Sequence, residues 1–102
     1  MSIKKQFLKS KPVCKVSFKL SKAQVNNATK VSLVGDFNNW DISADEFSKL
    51  KDGSFSYSLE LETGKEYHFR YVADGSEWFN DDEADRFEAS GQGEARNGVL
   101  SL

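Results

Sequence analysis

Apolar and polar side chains alternate from residue 13 onward. Cys14, Val16, Phe18 and Leu20 fall on one side, and Lys15, Ser17 and Lys19 on the other. A repeat of two places these sets on opposite faces of a half-buried strand. Val31-Ser32-Leu33-Val34 is a second short β-branched run, stopped by Gly35-Asp36. Asp52-Gly53 is a hairpin signal, and the cleanest alternation follows it: Phe55, Tyr57, Leu59 and Leu61 point inward, Ser54, Ser56, Ser58, Glu60 and Glu62 to water. After Thr63-Gly64, the residues Tyr67, Phe69 and Tyr71 share one face of a further strand, and His68, Arg70 and Val72 the other. Asp74-Gly75 turns the chain into a short strand at Trp78-Phe79, and Val99-Leu100-Ser101-Leu102 closes the pattern. Helix signals are few: Ser43 with Glu46 reads as the cap of a turn and Ser21 to Asn26 as a short turn, both without a sustained apolar stripe. Six or seven short strands joined by tight turns predict an all-β fold, an antiparallel sandwich of immunoglobulin-like type.

Composition narrows this reading. A chain of 102 residues, 38% hydrophobic, encloses one core, whereas a catalytic barrel needs roughly 250 residues. The only proline, Pro12, ends a lysine-rich start, so residues 1–12 are expected to form a flexible basic lead-in and residues 13–102 the domain. Lysines 4, 5, 9 and 11 flank no apolar stretch of signal-peptide or membrane-span length, and there is a single cysteine. A cytoplasmic location without membrane association is the expectation. Residues 1–51 hold ten lysines against four acids, and residues 52–102 four basic residues against twelve acids. The lysines of the first half are spaced as the wet face of a strand, with no base-stacking pattern, so nucleic acid is not an expected partner.

Enzymatic constellations come up short. His68 is the only histidine, and Cys14 lies on an apolar strand face as a core thiol. The run Asn80 to Asp85 reads as a solvated acidic loop, because the sixth position from Asp81, where a calcium loop needs glycine, is Arg86. No catalytic group, metal site or cofactor is expected. The tryptophans are more informative. Gly35-Asp36-Phe37-Asn38-Asn39-Trp40 and Asp74-Gly75-Ser76-Glu77-Trp78 are polar turns that each end in indole. A pyranose ring lies flat on such a surface while amide and guanidinium donors reach its hydroxyls. Asn38, Asn39 and Arg70 are donors of this kind, and strand alternation puts Arg70 outside the core. On pattern alone, packing of the indoles over the end of the sandwich stands level with ligand stacking.

The stretch Val31 to Trp40, followed by Tyr67 to Gly75 and then Trp78, resembles the family 48 carbohydrate-binding modules. These include the early-set N-terminal domains of isoamylases and glycogen branching enzymes, and the glycogen-binding domain of the AMP-activated protein kinase beta subunit. The resemblance spans roughly residues 13–102. It implies an early-set immunoglobulin-like sandwich of six to eight short strands that binds α-1,4-linked glucan without catalysis, as a stand-alone module, with a glycogen-metabolism enzyme in trans as a candidate partner. By position, Trp40 and Trp78 match the stacking tryptophans of the glycogen-binding members, Arg70 a lysine that hydrogen-bonds sugar, and Asn97 an asparagine near the C-terminal strand. Two departures stand out. Gly91 to Arg96 lacks the leucine and threonine that precede that asparagine, and Trp78 lies one residue farther from its Asp-Gly turn, a step that on a strand exchanges faces. The missing pair favours the alternative, a structural or protein-interaction domain with a degenerate sugar site.

Overall fold

The computed structural model describes residues 3–89 and 96–102. Two antiparallel sheets stack face to face in an all-β, immunoglobulin-like sandwich. Strands β1 (Ile3–Phe7), β2 (Val13–Leu20), β4 (Ser48–Lys49) and β5 (Phe55–Glu62) form one sheet in the order β1-β2-β5-β4. The other contains β3 (Val31–Gly35), β6 (Glu66–Ala73), β8 (Arg86–Ala89) and β9 (Arg96–Ser101) in the order β3-β6-β9-β8, with β7 (Glu77–Phe79) paired to β6. Nine strands among the described residues exceed the six to eight expected, through β1, the two-residue β4 and β8.

The alternation read from β2, β5 and β6 sets which side chains meet between the sheets. Cys14, Val16, Phe18 and Leu20 are all buried. The Phe18 ring lies 5.9 Å from Phe69 and 6.2 Å from Tyr71, both on the facing sheet, the latter edge-to-face. Such tilted aromatic contacts add to burial by matching ring edge to ring face. Tyr71 also contacts Phe47 and Phe79, so one tyrosine ties β6 to its neighbours.

The start of the domain differs from expectation. Residues 3–7 are no flexible lead-in; they pair with β2 from Ile3↔Phe18 to Phe7↔Cys14. The reason lies in Lys5, which takes a core-side position in the alternation and sends its ammonium to the rim, 2.6 Å from Asp85 and 3.2 Å from the Ser101 carbonyl. That bond joins the edge of one sheet to the other. Pro12 closes the β1–β2 connection, its carbonyl accepting from the Thr63 N–H at 3.0 Å.

Of three local readings one holds and two change. Ser21 to Asn26 is the turn expected, with Ser21 and Gln24 bonding each other's backbone N–H reciprocally. Ser43 donates to the Asp41 carboxylate rather than pairing with Glu46, which instead bridges to Ser32. In the acidic loop Asp81 is only 4% exposed, because it accepts the Tyr71 hydroxyl at 2.7 Å and the Glu83 N–H at 2.8 Å. The loop is therefore anchored in the core by one of its own acids.

Candidate functional site

The outer face of the β3-β6-β9-β8 sheet carries the site. His68, Arg70 and Val72 point outward from β6, opposite to the core-facing Phe69 and Tyr71. Register places Val99 opposite His68, Val34 opposite Arg70 and Val72 opposite Trp78. These three valines are buried although they face outward, so the larger side chains beside them are supported from below. Asn97, two residues before Val99 on β9, shares their face.

Trp78 reaches this face because of its turn. Asp74 and Gly75 have φ of 50° and 76°, the left-handed pair of a type I′ turn. Ser76 adds a third loop residue, and Trp78 pairs with Val72 rather than Tyr71. It is 46% exposed. Asp74 secures the turn by accepting from Thr29 N, Thr29 Oγ1 and Lys30 N, and these bonds, the Thr29 hydroxyl foremost, hold its carboxyl below the usual carboxylate range.

Trp40 arrives by a different route. Gly35 ends β3 where a Cβ would stand 2.4 Å from the His68 carbonyl oxygen, so the close approach of backbone to backbone demands glycine. A 3-10 turn, Asp36–Asn38, follows, and Asn39 and Trp40 have φ of 56° and 59°. Two consecutive left-handed residues without a glycine cost about 1–2 kcal/mol each. Asn38 offsets this strain. Its Oδ1 accepts the Gly35 N–H at 3.1 Å, and its Nδ2 donates to the Leu33 carbonyl at 2.9 Å and the Asp45 carboxylate at 2.7 Å. Asp45 in turn accepts the Tyr57 hydroxyl from the other sheet. Burial, with the adjoining carboxylate, pushes the Tyr57 phenol up to about 12. Asp36 clamps the indole itself, accepting Trp40 Nε1–H at 3.3 Å and the His68 N–H at 2.8 Å.

The two indoles line one open groove of about 470 Å³, together with Asp36, His68, Arg70, Ala89 and Asn97. Four of the six residues singled out in the sequence, Trp40, Trp78, Arg70 and Asn97, thus come together. Asn38 and Asn39 do not line the groove: the Asn38 amide is used inside the turn, and Asn39 is exposed beside it. Asp36 and His68 were missed as groove residues. Alternation from Arg70 places His68 on the same face, whereas nothing in the local pattern marks Asp36 as the indole's acceptor.

Polar groups in the groove are themselves ordered. Asn97 is 8% exposed, with Nδ2 at 3.3 Å from His68 Nδ1, and His68 Nε2 is 3.0 Å from Glu88. The neutral tautomer that satisfies both contacts carries its proton on Nε2. Arg86 grips Glu66 and Glu88, and its hydrogen bonds keep both carboxyls below their usual range. Arg70 Nε donates to the Arg96 carbonyl at 2.9 Å. Of the segment 91–96 that lacks the leucine and threonine, residues 91–95 lie outside the described residues. Among the described residues no group of three His, Cys, Asp or Glu side chains is arranged to hold a metal ion.

The model of carbohydrate-binding module 48, the isoamylase N-terminal domain, matches residues 22–87. The chain belongs to that family. The match takes in Trp40, Arg70 and Trp78 and stops before Asn97. A member of carbohydrate-binding module 48 is a binding domain and not by itself catalytic, and carbohydrate is the ligand class of the family. No curated protein matches the chain.

Proposed function

We propose that the groove between Trp40 and Trp78 binds α-1,4-linked glucan, such as glycogen or a maltooligosaccharide, without converting it. One observation carries this reading: indoles from two separate turns line a single groove with a guanidinium and an amide. Stacking of sugar C–H faces on indole removes apolar area from water, and Arg70 and Asn97 supply donors for the hydroxyl rim. The groove is open, so each ring is only partly desolvated, and hydroxyl groups return little net energy on leaving water. Dissociation constants of about micromolar to millimolar are expected.

Isothermal titration with maltoheptaose tests the proposal. Saturable binding is expected, and Trp40→Ala or Trp78→Ala should each weaken it by roughly tenfold, the worth of one stacked aromatic contact. Binding that survives both substitutions unchanged refutes the site, and no binding at millimolar ligand refutes the function. The burial of Asn97 and its contact with His68 favour the alternative, a protein-interaction domain with a glycogen-metabolism enzyme as partner. A partner captured from lysate both before and after amylase digestion, by a chain that does not bind maltoheptaose, would establish that alternative.

A further inference from the structure

The groove is lined by the chain's only histidine, and the two nitrogens of its ring meet different partners. His68 Nε2 lies 3.0 Å from a Glu88 carboxylate oxygen, and Nδ1 lies 3.3 Å from Asn97 Nδ2. Glu88 is held ionised by its hydrogen bond from Arg86, so it accepts Nε2–H whether the ring is neutral or charged. Asn97 Nδ2 is only a donor, and Nδ1 can meet it only through a lone pair. Protonation turns Nδ1 into a donor as well. The two groups then face each other N–H to N–H, and the amide must rotate to present Oδ1 to the ring.

The charges around His68 allow its cation to form. Glu66, two residues earlier on β6, and Glu88 on β8 both favour it, and Arg86 bonds to each of them. Arg70 opposes it from the same face of β6, while Asp36, beyond β3, accepts the His68 N–H. Strand β9 contributes Asn97 and Val99, neither charged. The consequence falls on Asn97, which also lines the groove. With a neutral ring, one Asn97 N–H is given to His68, and the second N–H and Oδ1 are not spent on it. With a charged ring Oδ1 is engaged, and the amide offers donors beside a guanidinium that also only donates. Neighbouring sugar hydroxyls then lose an acceptor. We infer that His68 makes glucan binding depend on pH: its neutral ring orients the Asn97 amide for sugar, and its protonation turns the amide and weakens the complex. His68 is a positioning residue in this scheme, and by linkage glucan binding expels a proton from it. The inference rests on the α-glucan reading of the groove.

Calorimetric titration with maltoheptaose at about pH 8 and about pH 5.5, the interval in which histidine changes charge, tests it. The ligand has no titrating group in this interval. Wild type should bind about two- to tenfold more weakly at the lower pH, the worth of one hydrogen bond. His68→Gln cannot titrate and Asn97→Ala has no amide to turn, so in both the two affinities should differ by less than about twofold. A wild-type affinity that does not change with pH, or a pH dependence that survives in either variant, overturns the inference and leaves the groove standing. Failure of wild type to bind at either pH removes the α-glucan reading, and the inference with it. Should either variant lose its cooperative unfolding transition, the Asn97 side-chain amide of wild type is followed by NMR through the same pH interval. Amide resonances that move with the titration of the His68 ring support the inference, and resonances that stay in place overturn it.

Discussion

Asn38 was expected to touch sugar, but its bonds make it the keystone of the turn that presents Trp40. In Asn38→Ala the Gly35 N–H loses its acceptor, the Leu33 carbonyl and Asp45 each lose a donor, and no sugar contact is lost. Each such bond is worth about 0.5–1.5 kcal/mol net, and these three are only partly shielded from water, so the expected loss of stability is about 2–3 kcal/mol. For a domain of this size that lowers Tm by about 10–20 °C. Glucan affinity should fall as well, by about two- to tenfold, because binding must then order an indole that the turn no longer holds. Asn39→Gly is the control. Its backbone is left-handed, with φ of 56°, which glycine adopts freely, so stability should stay within about 0.5 kcal/mol and affinity should not change. Urea unfolding and calorimetric titration read both. A loss below about 0.5 kcal/mol in Asn38→Ala, or affinity lost in Asn39→Gly, refutes the assignment.

Tyr71→Phe keeps the core ring but removes the hydroxyl that donates to Asp81; a loss of about 1–3 kcal/mol in urea unfolding is expected, and an unchanged midpoint would show that the loop is not anchored there. Asp74 is held below its ordinary value of 3.8. A depressed folded value means that its stabilisation is complete above 3.8 and lost as pH falls through the lower, folded one. Asp74→Asn should therefore flatten the acid limb of a stability–pH curve, and an identical limb would contradict this. Lys5→Ala should cost about 0.5–1 kcal/mol at low salt, since the Lys5–Asp85 pair is partly exposed, and the cost should shrink in 1 M NaCl. A cost that does not depend on salt would mean that Lys5 acts through its aliphatic stem instead.

How much of the molecule could be read from its sequence follows from which constraints are periodic. Strands β2, β5 and β6 were legible because one face of each is buried and a period of two records that fact in the residue types. Strand β1 was not, since its middle core-side position is Lys5, whose stem faces inward while its charge leaves by the rim. Strand β8 has a single large apolar side chain, Phe87, and it lies at a sheet edge where burial demands little. Asp81 was hidden for the opposite reason: an acid in an acidic run gives no sign that a core tyrosine will donate to it.

The site shows the same division between periodic and tertiary information. Arg70 could be assigned to the outer face by counting from Phe69 and Tyr71, but the face of Trp78 depended on the length of a turn. Ala73 pairs with Glu77 across a loop of Asp74, Gly75 and Ser76, which sets Trp78 opposite Val72. A two-residue loop would have shifted pairing by one and set the indole opposite Tyr71, aimed at the core. Ser76 is not among the described residues that line the groove, yet it decides that Trp78 faces it. Asn38 works in the same indirect way on Trp40. The large side chains that line the groove can thus be named from their chemistry, whereas the residues that aim them are found only once register and hydrogen bonds are in place.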